Sequence, residues 1–228
     1  MPNLLNSYGR TKTWVDNGGL VLFESAVPQT HIYTFPRKTK CGIICVGGGA
    51  GGFAAPLGFG ADGSILYGNM AYSGGSGGYS YVEHVFEETD TITISVGAGG
   101  SAYYSSSAYG AVTPSSPNLY LNVVSGQPSS VSVGGSDICV ANAGGGGRWY
   151  LSDPSNPNSV QASPSLGGSG TTTNGNNGVV ATSGVNYVAG GVAVYENYGT
   201  GGNATRGSNA TSGVAGYVKI FILATDNI

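Results

Sequence analysis

The sequence predicts a mainly β protein with essentially no α-helix. A small β-sandwich-like base should carry a bundle of polyglycine-II-type helices, and long loops should cap the bundle. Three observations predict this. Glycine supplies 42 of 228 residues and is gathered into runs, against about 7% in ordinary proteins. The β-branched and aromatic residues fall in short segments with partial alternation, the mark of strands. No segment shows an apolar stripe at helical spacing bounded by caps.

The strand signals, in order, are residues 20–24, 31–35, 41–46, 79–86, 91–96, 129–133, 138–141 and 217–223. Turn residues separate some of them directly, at Glu87-Glu88-Thr89-Asp90 and Gly134-Gly135-Ser136-Asp137. Elsewhere a glycine run meets a strand end. Runs leave the strands that end at Val46, Val96 and Ala141 (residues 47–52, 97–100 and 144–147). Runs enter the strands that begin at Tyr79 and Tyr217 (residues 74–78 and 213–216). Further runs stand at 167–170, 190–191 and 199–202.

Flexible linkers have no reason to sit so regularly at strand ends. An extended glycine chain can instead adopt a polyproline-II-like helix, with three residues per turn and a rise of about 3.1 Å. It makes no internal hydrogen bonds, so parallel rods must satisfy one another. Only glycine, with occasional Ala or Ser, fits where backbones touch, and interchain bonds then offset glycine's large ordering entropy. Val at Gly49 or Gly145 should therefore unfold the rods.

Rods leaving one end of a β base carry the intervening segments to a far tip. Those segments are about residues 53–73, 101–126, 148–166 and 192–198. Ten of the 15 tyrosines lie in or beside them: Tyr67, Tyr72, Tyr103, Tyr104, Tyr109, Tyr120, Tyr150, Tyr187, Tyr195 and Tyr198, together with Trp149, Phe53 and Phe59. Aromatic anchors among Ser, Asn, Gly and Pro make up the chemistry of a paratope. The expected contact residues are Tyr67, Tyr72, Tyr103, Tyr104, Tyr109, Tyr120, Trp149, Tyr150, Tyr195 and Tyr198. About half of the loop aromatics should instead pack on the rods as local cores.

Several function classes are disfavoured. Net charge is −3 with no basic patch, which argues against a nucleic-acid partner. No apolar run approaches the roughly 20 residues of a membrane span, and the first residues carry no secretory signal pattern. Cys41 and Cys45 are too far apart on one strand to pair, so the three cysteines read as reduced, buried, small apolar residues. His31 and His84 do not lie at metal-ligand spacing to them. No cofactor is expected.

Two motifs invite an enzymatic reading. Gly47-x-Gly49-x-x-Gly52 follows a strand, as a dinucleotide-binding turn does, but Pro56, Gly58 and Gly60 occupy the place of the required helix. Gly74-x-Ser76-x-Gly78 matches a nucleophile elbow, with His84 and Asp90 downstream. It precedes a strand, however, and the order Ser, His, Asp is wrong for hydrolases that use the elbow. Glycine abundance alone supplies about one match to each pattern. Carboxylate pairs for glycoside hydrolysis would have to come from Asp62, Glu83, Glu87, Glu88 and Asp153, with Glu87-Glu88 at a turn away from the loops. The sequons at Asn203 and Asn209 read as ordinary polar loop residues. No catalytic activity is expected.

The pieces "IICVGGGAGG", "GGSGGYSYVEHVF", "TITISVGAGG", "ICVANAGGGG" and "GVAGYVKIFIL" together resemble the glycine-rich receptor-binding tip adhesins of bacteriophage long tail fibres. The resemblance covers about residues 33–223. It implies a virion protein at a tail-fibre tip, whose distal loops contact a bacterial surface receptor, an outer-membrane protein being favoured. It divides the chain into an attachment segment, 1–30, and a receptor-binding domain, 31–228, held on a fibre-shaft protein or as a self-trimer. The residues leave open two alternatives. One is carbohydrate binding, with Trp149-Tyr150 beside Asp153 and Asn156 stacking on sugar rings. The other is a structural trimerising cap with no receptor contact.

Overall fold

The computed structural model describes residues 20–55, 58–59, 65–66, 70–104, 121–122, 124–151, 160–163, 165–180, 187–205 and 209–225. Among them there is no helix, and the expected base is a sandwich of two antiparallel sheets. Its strands are β1 (Leu20–Ser25), β2 (Gln29–Thr34), β3 (Thr39–Val46), β4 (Tyr79–Phe86), β5 (Thr91–Val96), β6 (Ser129–Val133), β7 (Ser136–Ala141) and β8 (Tyr217–Thr225). One sheet has the order β1-β8-β3-β4 and the other β7-β6-β5-β2.

Strand alternation builds the core. Cys41, Ile43 and Cys45 of β3 and Val218, Ile220 and Ile222 of β8 face Ile92, Ile94 and Val96 of β5, Val131 of β6, and Cys139 and Ala141 of β7. Phe35 and Phe86 stack at 4.3 Å. Gly134 and Gly135 both have positive φ (55° and 83°), the backbone of a two-residue hairpin turn that glycine adopts without strain. The expected boundary between residues 30 and 31 falls inside β2. Residues 20–30 thus belong to the sandwich, and residues 1–19 lie outside the described residues.

The three cysteines are buried and unpaired, as expected. Burial pushes the Cys41 thiol up to about 12. A hydrogen bond with Cys139, then burial, raises Cys45, while the same bond lowers Cys139. Burial, then the bond to Glu24, raises the Tyr217 phenol. The unfolded chain releases the Cys41 and Cys45 protons from about pH 8.5 and the Tyr217 proton from about 10, while the folded chain retains them. Stability should be full below about pH 8.5 and fall as pH rises toward the folded values. Urea midpoints between pH 7 and 11 check this, and Cys41→Ala should flatten the slope; a wild-type midpoint that does not move would refute it.

The glycine runs form the rods. Every N–H of residues 47–52 is bonded to another rod. Gly47 and Ala50 donate to Gly78 and Gly75, Gly48 and Gly51 to Gln127 and Val124, and Gly49 and Gly52 to Val214 and Thr211. Each partner recurs every third residue, the period of a polyglycine-II helix. Three further rods donate back: Gly144 to the Gly48 carbonyl, Gly100 and Tyr103 to those of Gly49 and Gly52, and Gly202 to that of Ala50. The rod 47–52 is therefore enclosed by six neighbours, at 74–78, 124–128, 211–216, 97–103, 142–147 and 199–203.

Bond registers give the rod directions. Rods 47–52, 97–103, 142–147, 175–180 and 199–203 run away from the sandwich, and rods 73–78, 124–128, 165–170, 188–192 and 211–216 return to it. Side chains complete the outer lattice. The Asn177 and Asn203 amide oxygens accept from Gly167 and Gly190, both at 2.8 Å, and the Ser76 hydroxyl accepts from Asn176 at 2.8 Å.

Candidate functional site

Alternating rod directions bring five crossovers to one end. Rods 47–52 and 73–78 are joined through 53–72, rods 97–103 and 124–128 through 104–123, and rods 142–147 and 165–170 through 148–164. Rods 175–180 and 188–192 are joined through 181–187, and rods 199–203 and 211–216 through 204–210. The first three were expected at the tip. Residues 192–198 were too, but they return to the sandwich: Tyr195 stacks on Tyr79 at 5.1 Å and Tyr198 on Tyr217 at 4.2 Å. The rod feeding them runs inward, so the turn that reverses it lies at the base, with Glu196 at φ 48°.

Small sheets build the tip. Phe53–Ala55 pairs with Met70–Tyr72 and with Tyr103–Tyr104. Arg148–Leu151 pairs with Leu121–Asn122 and Val160–Ser163. Ala204–Thr205 pairs with Tyr187–Val188 and Asn209–Ala210. Ala54, Ala71, Val188 and Ala204 form a minor core. These short pairings stiffen loops that the sequence shows only as polar and aromatic segments.

The expected contact residues separate into groups. Tyr72 is buried (5% exposed) and, with Tyr103, flanks Phe53 at 5.8 and 5.4 Å, the local packing anticipated for part of the aromatic set. Tyr104, Trp149 and Tyr150 lie on tip strands, with Trp149 in register with Leu121 and Ala162. Tyr67, Tyr109 and Tyr120 lie outside the described residues. Tyr195 and Tyr198 belong to a stack at the sandwich end with Tyr79 and Tyr217. The Tyr217 hydroxyl donates to the Glu24 carboxylate at 2.6 Å.

The tip also exposes side chains not expected as contacts. Val124, Leu166, Val179 and Tyr187 are 51%, 61%, 54% and 54% exposed. Each stands at the far end of its rod or on the strand beyond it: Val124 accepts from Gly51, Leu166 from Gly145, Val179 from Ser73, and Tyr187 pairs with Thr205. These four give the loop end an apolar component, while Val27, Ile32 and Val192 are as exposed at the sandwich end. The available signal was the three-residue spacing of small residues in the outer rods, which shows which positions must face outward.

The alternative chemistries find no support in this geometry. The Gly47, Gly49 and Gly52 N–H groups are spent on neighbouring rods, and a strand follows, so no phosphate cradle exists there. Ser76 is fully buried inside a rod. His84 packs edge-on against Phe86 in the sandwich, and Asp90 accepts from the Glu87 N–H in a turn. Glu83 and Glu87 pair with Lys40 at 2.6 Å and Lys38 at 3.1 Å, and Lys40 holds the Glu83 carboxyl below its ordinary range. Asp62 and Asp153 lie outside the described residues. Among the described residues no cluster of His, Cys, Asp and Glu could hold a metal ion.

A sandwich whose glycine lattice carries every second connection to one end is a scaffold for displaying loops. The chain belongs to the glycine-rich domain family: the family model matches residues 25–221. No curated protein matches the chain.

Proposed function

We propose that this protein is a receptor-binding tip of a bacteriophage tail fibre, acting without catalysis and recognising a bacterial surface receptor, with an outer-membrane protein favoured. The observation that carries this reading is the one-ended display of loops. Five crossovers and the exposed Val124, Leu166, Val179 and Tyr187 lie at one end of the rod bundle. The rods themselves contain no charged residue. A lattice so costly in glycine ordering entropy is explained if loops must be held far from their base on a stiff support. The sandwich, at the opposite end, is the part left to join a fibre-shaft protein or further copies of the chain, and the virion is the place of action.

The test applies fluorescently labelled protein to a panel of bacteria after treatment with protease or periodate. Loss of binding after protease alone is the expected result. Loss after periodate alone would transfer the reading to a surface glycan. Binding to no strain would overturn receptor recognition in favour of a structural cap.

A further inference from the structure

Among the described residues, one sheet edge of the sandwich lacks the usual protection. Edge strands normally carry charges, bulges, proline or a covering segment that prevents strand addition. β1 carries Glu24 and a register shift between Val21 and Phe23. β4 carries Glu83 and is bridged by Thr173, and β7 carries Asp137 and is bridged by Gly170. β2, with the sequence QTHIYT, has no charge and no proline, and its register with β5 is unbroken. Five of its six residues are exposed, Ile32 at 65%.

The bonding parity of this edge is determined. The Phe35 N–H donates to the Asp90 carbonyl at 2.9 Å, continuing the β2–β5 ladder. Bonding alternates along an antiparallel pair, so Gln29, His31 and Tyr33 turn their backbone groups toward β5. The N–H and C=O groups of Thr30, Ile32 and Thr34 then point out of the sheet.

We infer that β2 pairs with β2 of a second copy, antiparallel about a twofold axis through Ile32. This register places Ile32 opposite Ile32 of the second copy and Thr30 opposite Thr34. All three outward-facing residues then exchange bonds, with no like charges opposed. The pairing covers both isoleucines and adds a Thr–Thr cross-strand pair. A register shifted by two residues leaves one of the three without a partner, and a shift of one puts opposite faces of the strand together. The two rod bundles point away from each other, so both sets of loops stay free, and the dimer stands or falls independently of receptor recognition.

The test is sedimentation of the full chain up to roughly 0.1 mM, since one strand pair buries less than a standard interface. A dimer is expected, weakened at least tenfold by Ile32→Lys and by Ile32→Pro. Proline at this position removes only an N–H that faces away from β5, so the fold should survive; the lysine variant covers the case in which it does not. A wild-type monomer at that concentration overturns the proposal, as does an oligomer that both variants leave intact. Exchange-protected amides at Thr30, Ile32 and Thr34 in a monomeric sample would show that something other than a second copy occupies the edge.

Discussion

Gly49→Ala is expected to lower the thermal midpoint by about 6 °C or more, while Gly145→Ala leaves it unchanged or slightly raised. A Cβ at Gly49 would run into the Thr200 carbonyl and the carbonyl of Gly199 beside it. Relief requires a rod to move, yet the rod 47–52 is bonded on every side. Overpacking of this kind costs about 1–3 kcal/mol where neighbours can adjust, and here they are backbone. A cost of about 3 kcal/mol corresponds to roughly 6–12 °C in a chain of this size. Gly145 differs because its nearest neighbour, the Leu166 carbonyl, would lie 3.6 Å from the new Cβ, an ordinary contact. Alanine there reduces the entropy of the unfolded chain and can contribute about 0.4–1 kcal/mol. Gly145 lies at the periphery of the lattice, so the backbone clash expected at Gly49 does not arise there for the first side-chain carbon. Calorimetry of both alanine variants decides the matter; equal midpoints would contradict the packed-rod description.

The second large effect concerns the tip. Under the proposed function, Leu166→Ser, Val179→Ser and Tyr187→Ala combined should weaken cell binding tenfold or more with little change in stability. These side chains are more than half exposed, and truncation of exposed groups away from structural features costs within about 0.5 kcal/mol. A few apolar and aromatic anchors commonly dominate a recognition surface. Tyr195→Ala provides the contrast. Its ring lies between Tyr79 and Tyr217, at 5.1 and 5.8 Å, so its loss should lower stability by about 1–3 kcal/mol and leave binding by the folded fraction intact. Titration of fluorescent variants on cells, with melting curves alongside, separates the two. Wild-type binding by the triple variant would remove these residues from the contact surface.

Much of the fold was legible because its signals are local. The eight base strands announce themselves by alternation, and β6 and β7 by the glycines of their turn. Runs such as GGGAGG and GGSGG, at 47–52 and 74–78, are buried along their whole length and enclosed by backbone, and only small residues permit that. The outer rods were harder to see. Residues 175–180 read GNNGVV, which resembles a loop, and 188–192 read VAGGV, of which only the glycines 190–191 stand out as a run. Their small residues recur every third position because only one side of such a rod touches a neighbour. Ser165 and Gly168, Val188 and Gly191, and Gly199 and Gly202 are the buried positions of that period.

The site was less legible than the fold. Tyr187, Tyr195 and Tyr198 look alike in sequence, in similar company, yet one is exposed at the tip and two are stacked against the sandwich. Which end a tyrosine reaches depends on how many rods precede it, since each reverses direction. Missing the rod at 175–180 reversed the direction expected for the run at 190–191 and so misplaced the crossover that follows it. Composition and local pattern were enough for the strands, the absence of helix and the glycine rods, because steric fit and side-chain alternation act between near neighbours. The direction of each rod, the end to which each aromatic is delivered and the tolerance of Gly145 were settled only by tertiary hydrogen bonds between distant segments. Those bonds are made by backbone groups that every residue carries, so the sequence holds no local mark of them.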